Sequence, residues 1–260
     1  MAPAKSSSHH EAGELIASAN ALLRELVEEG VCEIPKSAAS ISKAIDAAPK
    51  AATPKSPSGL EFVDSGIEIV PWIDRRPQLD EVRKHLGDCQ RCGLCEGRQS
   101  IVFGDGNPKA KIMFIGEGPG EQEDLSGLPF VGRAGELLTQ MIEKGIGLSR
   151  SEVYICNIIK CRPPRNRNPR PPEIKACRPF LDGQISAIDP KVIVTLGKPA
   201  ASLLLDREVA ITKIRGTWQD YRGIPLMPTL HPAYVLRRYT TENRRAVWQD
   251  LQAAMKRAGA

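Results

Sequence analysis

The chain has 260 residues, enough for one good-sized domain with an accessory tail, since compact domains commonly run to about 100 to 200 residues. A net charge of +5 and a pI near 8.8 suit a polyanionic partner without demanding one, so the placement of charge matters more than its total. Seven cysteines without a charged-then-apolar leader argue against a secreted disulfide framework, and no apolar run approaches the ~20 residues that span a bilayer; a soluble, cytoplasmic protein is expected.

Residues 11–29 read as an amphipathic helix, with Leu15, Ala19, Leu22, Leu23, Leu26 and Val27 at helical spacing and Gly30 as its stop. Residues 36–59 are mostly Ala, Ser, Lys and Pro, with Ile41 and Ile45 the only larger apolar side chains. Such a stretch buries too little surface to offset its ordering entropy, so residues 1–60 are expected to form a helix and a flexible linker.

From about residue 78 the texture changes. The Val- and Ile-rich runs 112–115, 153–159 and 192–196 read as strands, and 133–144 and 172–188 between them read as helices. The alternation predicts a parallel sheet covered on both faces by helices. Residues 210–229 look β-rich with a turn near 220–223, and 242–257 read as a closing helix. In an open α/β sheet, ligands bind beyond the carboxyl ends of the strands. Segments 116–124, 160–172, 197–201 and 231–237 are therefore where a site is expected.

Cys89 and Cys92 form a C-x2-C pair, and Cys161 and Cys177 are a second pair whose first member follows a predicted strand. Four thiolates could enclose one centre, and their spacing is compatible with zinc as well as with an iron-sulfur cluster. Cys95 extends the first pair to C-x2-C-x2-C; it is read as a non-ligand, and it, Cys32 and Cys156 as small buried apolar side chains. Between residues 160 and 178 seven Lys and Arg face the single acid Glu173. Tethered to a rigid centre, that loop is a candidate for phosphate contacts.

The run Gly116-Glu117-Gly118-Pro119-Gly120 lets backbone amides approach a ligand but lacks the dinucleotide fingerprint G-x-G-x-x-G. Glu117 at a strand end could position a water or face a developing cation. Phe130, in a glycine-rich approach to a helix, could stack on a flat ligand. His231, the only histidine after His85, is followed at once by Pro232, Tyr234 and the pair Arg237-Arg238, a context more like a site rim than a core.

Taken together, GEGPGEQEDLSGLPFVGRAGELL (116–138), VYICNIIKCRPPRNRNP (153–169) with the later Cys177, TLG (195–197) and HPAYVLR (231–237) resemble the family 4, iron-sulfur uracil-DNA glycosylases. The resemblance covers about residues 79–251 and implies a glycosylase domain over 79–258. It implies a three-layer α/β/α fold with a central four-stranded parallel sheet, a loop stapled by one 4Fe-4S cluster on Cys89, Cys92, Cys161 and Cys177, and a pocket for an extruded uracil.

Carried over by position, Glu117 becomes the water-positioning or cation-stabilising acid, Phe130 the ring stacked on uracil, Asn157 the amide that reads the base edge, and His231 the donor to uracil O2, with amides near Gly118 assisting. Arg162, Arg165, Arg167, Tyr234, Val235, Leu236 and Arg237 are expected to contact DNA, Val235 or Leu236 filling the vacated stack and Arg237 holding phosphate. The implied partner is uracil-containing DNA, single- or double-stranded, and the protein a monomer. Gly120 stands where the best-known branch of the superfamily carries an aromatic that blocks the thymine methyl, so thymine exclusion must come from elsewhere. No histidine lies between Cys161 and Cys177, which favours turnover over a permanent crosslink. The competing readings are a non-catalytic iron-sulfur nucleic-acid-binding module, which does not require Glu117, Asn157 and His231 together, and an electron-transfer protein, suggested by the triple-cysteine run, which would leave the basic loop and the HPAYVLR segment without a role.

Overall fold

Runs of Val and Ile bounded by Gly, Pro and Asp form strands because branched side chains pack well on a pleated surface. In the protein's structure, a computed structural model that describes residues 75–260, these are β1 (Asp105–Gly106), β2 (Ile112–Gly116), β3 (Tyr154–Asn157), β4 (Val192–Leu196), β5 (Gln219–Tyr221) and β6 (Ile224–Thr229). The helix and linker expected over the first 60 residues lie outside the described residues.

The six strands make one mixed sheet in the order β1-β3-β2-β4-β6-β5. The expected four-stranded parallel sheet is thus incomplete as a description. β3-β2, β2-β4 and β4-β6 pair parallel, while β1 and β5 add antiparallel edges. β5 and β6 are the hairpin anticipated near residues 220–223, but the first part of that β-rich segment folds as a short helix, Ile211–Ile214.

Alternation along β2 divides the core. Met113 and Ile115 pack with Tyr154, Leu181 and Ile185 on one face, and Ile112 and Phe114 with Leu138, Val194, Val247 and Leu251 on the other. The side chains named come in part from helices that cover the sheet: α1 (Leu79–Leu86), α2 (Glu121–Ser126), α3 (Arg133–Gln140), α4 (Pro171–Ile188), α5 (Lys198–Leu204), α6 (Ile211–Ile214), α7 (Pro232–Arg237) and α8 (Thr241–Ala258). α3 continues as a π-helical turn, Met141–Ile146. No helix among the described residues is long and apolar enough to cross a membrane.

Parallel pairing sets the ends of the inner strands side by side. Gly116 of β2 is opposite Asn157 of β3, and Leu196 of β4 is opposite Thr229 of β6. Glu117, Asn157 and His231 therefore leave the same edge of the sheet.

Candidate functional site

A cavity of about 460 Å³ opens at that edge, with Glu117, Gly118, Phe130, Asn157 and His231 all in its wall and Arg167 and Arg237 beside them. The five residues expected around a base are thus brought together from three strand ends and one loop. The floor depends on a missing side chain, because a Cβ at Gly116 would run into the Phe130 ring and lie 2.5 Å from Asn157 Oδ1. Gly116→Ala is expected to displace the ring or the amide, lowering stability by about 1–3 kcal/mol and the affinity of the pocket for its ligand by roughly tenfold. Thermal melting and a competition assay on the purified variant check both.

Phe130 is 6% exposed and holds a positive φ of 52°. A bulky residue adopts that conformation only where its surroundings impose it. Its carbonyl lies where a Cβ on residue 135 would have to be, so Gly135 is what allows the loop to press against the start of α3. Arg150 donates to the carbonyl of Pro129 and, at 3.1 Å, to Thr139 Oγ1, which pins the same loop. The Phe130 and His231 rings lie 5.7 Å apart between centroids.

Asn157 is 1% exposed, and its Oδ1 has no hydrogen-bond partner among the described residues. A buried amide oxygen left without a donor costs on the order of 1–3 kcal/mol, so this one is poised for a ligand. Its main chain is held independently: the ammonium of fully buried Lys160 donates to the Asn157 carbonyl at 2.7 Å. Lys160 is one of the seven basic residues of the 160–178 loop, but its burial keeps it from phosphate contacts.

His231 precedes α7, and its Nδ1 accepts from the Ala233 N–H at 3.1 Å. That leaves Nε2 to carry the proton of the neutral ring. Burial lowers its pKa to about 4, with the charge of Arg237 acting the same way. Gly197, at φ 88°, makes room for this residue, since a Cβ there would sit 3.1 Å from His231 Cβ. Glu117 is half-buried, and desolvation raises its pKa, the shift that suits a proton acceptor working near neutrality.

Sequence reasoning missed the two carboxylates that hold the loops in register. Glu123 Oε1 accepts from the N–H groups of Val131 and Gly132 at 2.9 and 3.0 Å, and its Oε2 from Gly120 at 3.0 Å. One side chain so joins the glycine loop to the Phe130 loop. A Cβ at Gly120 would meet Glu123 Oε2 at 2.8 Å, so any side chain at that position would have to displace this carboxylate. The G-x-x-E spacing of a capping box was the available signal. Buried Asp124 accepts from Gln99 and Ser100 N–H at 2.9 and 3.2 Å, tying the cysteine segment to the site.

The expected DNA contacts divide. Arg165 and Arg237 are exposed, and Tyr234 and Leu236 half-buried. Val235 is fully buried in the core beneath α7 and is withdrawn as a wedge. Arg167 grips Glu173 bidentately at 2.6 and 2.9 Å, and Arg162 donates to Asn166 at 2.8 Å and pairs with Glu121 at 3.6 Å. These two guanidiniums shape the loop first, so its open positive charge is smaller than its composition suggests.

Cys161 lies four residues beyond the end of β3, Cys177 lies in α4, and Cys89 and Cys92 follow α1. No group of three or more His, Cys, Asp or Glu among the described residues is arranged to hold a metal ion. The donor chemistry nevertheless fits an anionic thiolate centre. Burial pushes the Cys161 thiol up to about 11 and Cys177 up to about 12, so thiolates here need added positive charge to exist at neutral pH. Arg91 and Arg98 already aim N–H groups at the sulfurs of Cys89 and Cys161, at 3.3 and 3.6 Å. Cys156 is fully buried on β3, as expected of a small apolar residue, whereas Cys95 is half-buried. Cys32 lies outside the described residues.

A family model of the uracil DNA glycosylase superfamily matches residues 103–252, a span that holds the whole cavity wall and the second cysteine pair. Over 182 residues the chain is 47% identical to a type-4 uracil-DNA glycosylase of Thermotoga maritima, covering 69% of this chain and 94% of that protein. It is 48% identical over 181 residues to one of Saccharolobus solfataricus (66% and 81%), and 44% identical over 182 residues to one of Sulfurisphaera tokodaii (67% and 82%).

Proposed function

Because the chain belongs to the uracil-DNA glycosylase superfamily, we propose that it excises uracil from DNA, with the pocket between Phe130, Asn157 and His231 receiving the extruded base. The observation that carries the assignment of the pocket is the unpartnered Oδ1 of Asn157 on its floor. Uracil presents an N3–H donor beside an O4 acceptor, which one amide satisfies at once, and cytosine presents the opposite pattern.

An enzyme acting on a base must take it out of the stack, at a cost of a few kcal/mol that is smaller where the base is mispaired or unpaired. Phe130 supplies a stacking surface in exchange, and Leu236 and Arg237 at the rim are assigned to the gap and the phosphate. The bond between C1′ and N1 then breaks with its electron pair on the uracil ring and positive charge on the sugar. The Nε2–H of His231 donates to O2, where the negative charge gathers, and backbone amides near Gly118 assist. Glu117 faces the cation and accepts the proton of the water that adds to C1′, giving an abasic site and the uracil anion, which takes up a proton on release as Glu117 returns its own to solvent.

We assign this chemistry to residues 79–258, acting as a monomer, and one 4Fe-4S cluster to Cys89, Cys92, Cys161 and Cys177. Such a cluster supplies cross-links between α1, the exit of β3 and α4, and contributes nothing to the hydrolysis. Cys177→Ser is expected to lose the visible absorbance of the cluster and to melt several degrees lower, since each kcal/mol shifts a domain of this size by about 2–4 °C; Cys95→Ser is expected to keep both properties. The function itself is tested with an oligonucleotide carrying a single uracil, treated with the cluster-loaded protein and then with alkali. Strand cleavage at the uracil position is the expected result, and an intact strand overturns the reading.

A further inference from the structure

The outer surface of α8 and the turn before it carry an unusual pairing of exposed rings and arginines. Tyr239 is 59% and Trp248 51% exposed, and the Arg244 guanidinium lies 4.8 Å from the centroid of the Tyr239 ring. Thr241, Arg244, Arg245, Trp248 and Gln249 line a shallow depression of about 620 Å³. From 237 to 249 the exposed charges are Arg237, Arg238, Arg244 and Arg245 against the single acid Glu242. None of these four arginines is in an ion pair among the described residues.

An amphipathic helix that buries Val247, Leu251 and Ala254 needs a polar outer face, and charge alone would be only that. Two large rings left in water among unpaired guanidiniums are not required by the packing. The face also follows the pocket wall along the chain: His231 precedes α7, Arg237 ends it, both line the cavity, and Arg238 and Tyr239 come next.

We propose that this face, centred on Tyr239, Arg244, Arg245 and Trp248, binds unpaired DNA beside the extruded nucleotide. The proposal rests on the reading that the chain acts on DNA. Rings can stack on bases only where pairing and neighbours leave the base faces open, and stacking of this kind tolerates any sequence. The arginines provide the phosphate contacts that hold such a strand. A duplex hides its base faces and would use the arginines alone.

The test pairs two variants of the full chain, Tyr239→Ala/Trp248→Ala and Arg244→Gln/Arg245→Gln, with two probes. A uracil-free oligothymidylate measures the face by anisotropy across salt concentrations, and a trinucleotide with a central deoxyuridine measures the pocket by uracil release. The ring variant is expected to weaken oligothymidylate binding by roughly tenfold or more, and the arginine variant to lower its salt slope by about one unit. Both should keep the wild-type melting temperature and kcat/KM on the trinucleotide. Unchanged oligothymidylate affinity and salt slope in both variants would overturn the proposal, including the outcome in which the face serves an acidic protein. A wild type that leaves uracil in the trinucleotide would sink the glycosylase reading alone, since the oligothymidylate carries no uracil and still reports on the face.

Discussion

His231→Ala lowers kcat for uracil release by roughly 10²- to 10³-fold, the loss that follows removal of one preorganised donor from a developing anion, while KM changes little. The expectation rests on where the proton sits. The Ala233 N–H occupies Nδ1, and burial holds the ring's pKa down at about 4, so a neutral Nε2–H donor is present across the neutral range without desolvating a cation. Two pH dependences follow. Activity has no limb from His231 between pH 5 and 8, and its acid limb belongs to Glu117, whose raised pKa means that the needed carboxylate is lost as pH falls through that value.

Stability behaves differently at the two groups. The folded pKa of His231 lies below its unfolded value of 6.5, so the unfolded chain binds more protons between about 6.5 and 4 and the protein loses stability as pH falls through that window. Glu117 has the opposite sign: its folded pKa lies above the ordinary 4.5, so its contribution is lost as pH rises through the folded value. Melting curves of wild type and His231→Ala at pH 7 and pH 5 separate them. The variant should show the smaller drop on acidification. An equal drop in both, or a kcat within threefold of wild type, removes His231 from the assigned role.

Glu117 and His231 were legible because each lies just beyond a segment that reads as β, and parallel strands deliver such positions to one edge; Asn157, inside the run 153–159, was legible only through the family resemblance, because the strand stops at that residue and not at the end of the run. What was not legible depends on contacts made across loops. Glu123 accepts three N–H groups from segments up to nine residues away, a geometry fixed only once the loops are folded. Arg167 and Glu173 carry ordinary loop charges in sequence, and only the turn between them shows that they neutralise each other. Val235 and Leu236 are adjacent and both apolar; the rotation of α7 against the core decides which is buried. The edge strand β1, two residues long, is too short to leave a period in the sequence, and β5, three residues long, was signalled by the turn that follows it and not by a period.

Asn157→Asp reverses the preference of the pocket for one pyrimidine over the other. An ionised aspartate only accepts hydrogen bonds, so it can receive uracil N3–H but opposes O4. A site that leaves a buried polar group unpaired or opposed discriminates by factors that reach 10⁴, and uracil excision is expected to fall by at least roughly 10³-fold. The position is 1% exposed, and burial favours the neutral carboxyl, which donates through its O–H and accepts through its other oxygen, the complement of cytosine N3 and N4–H. Cytosine release, which the wild-type amide opposes, should therefore become measurable in single-turnover assays and increase as pH is lowered. The backbone of residue 157 stays anchored by Lys160, and the Oδ1 that changes partner has none to lose among the described residues, so the variant should fold. Uracil and cytosine rates that fall together, with melting unchanged, would mean that Asn157 holds the base without reading it.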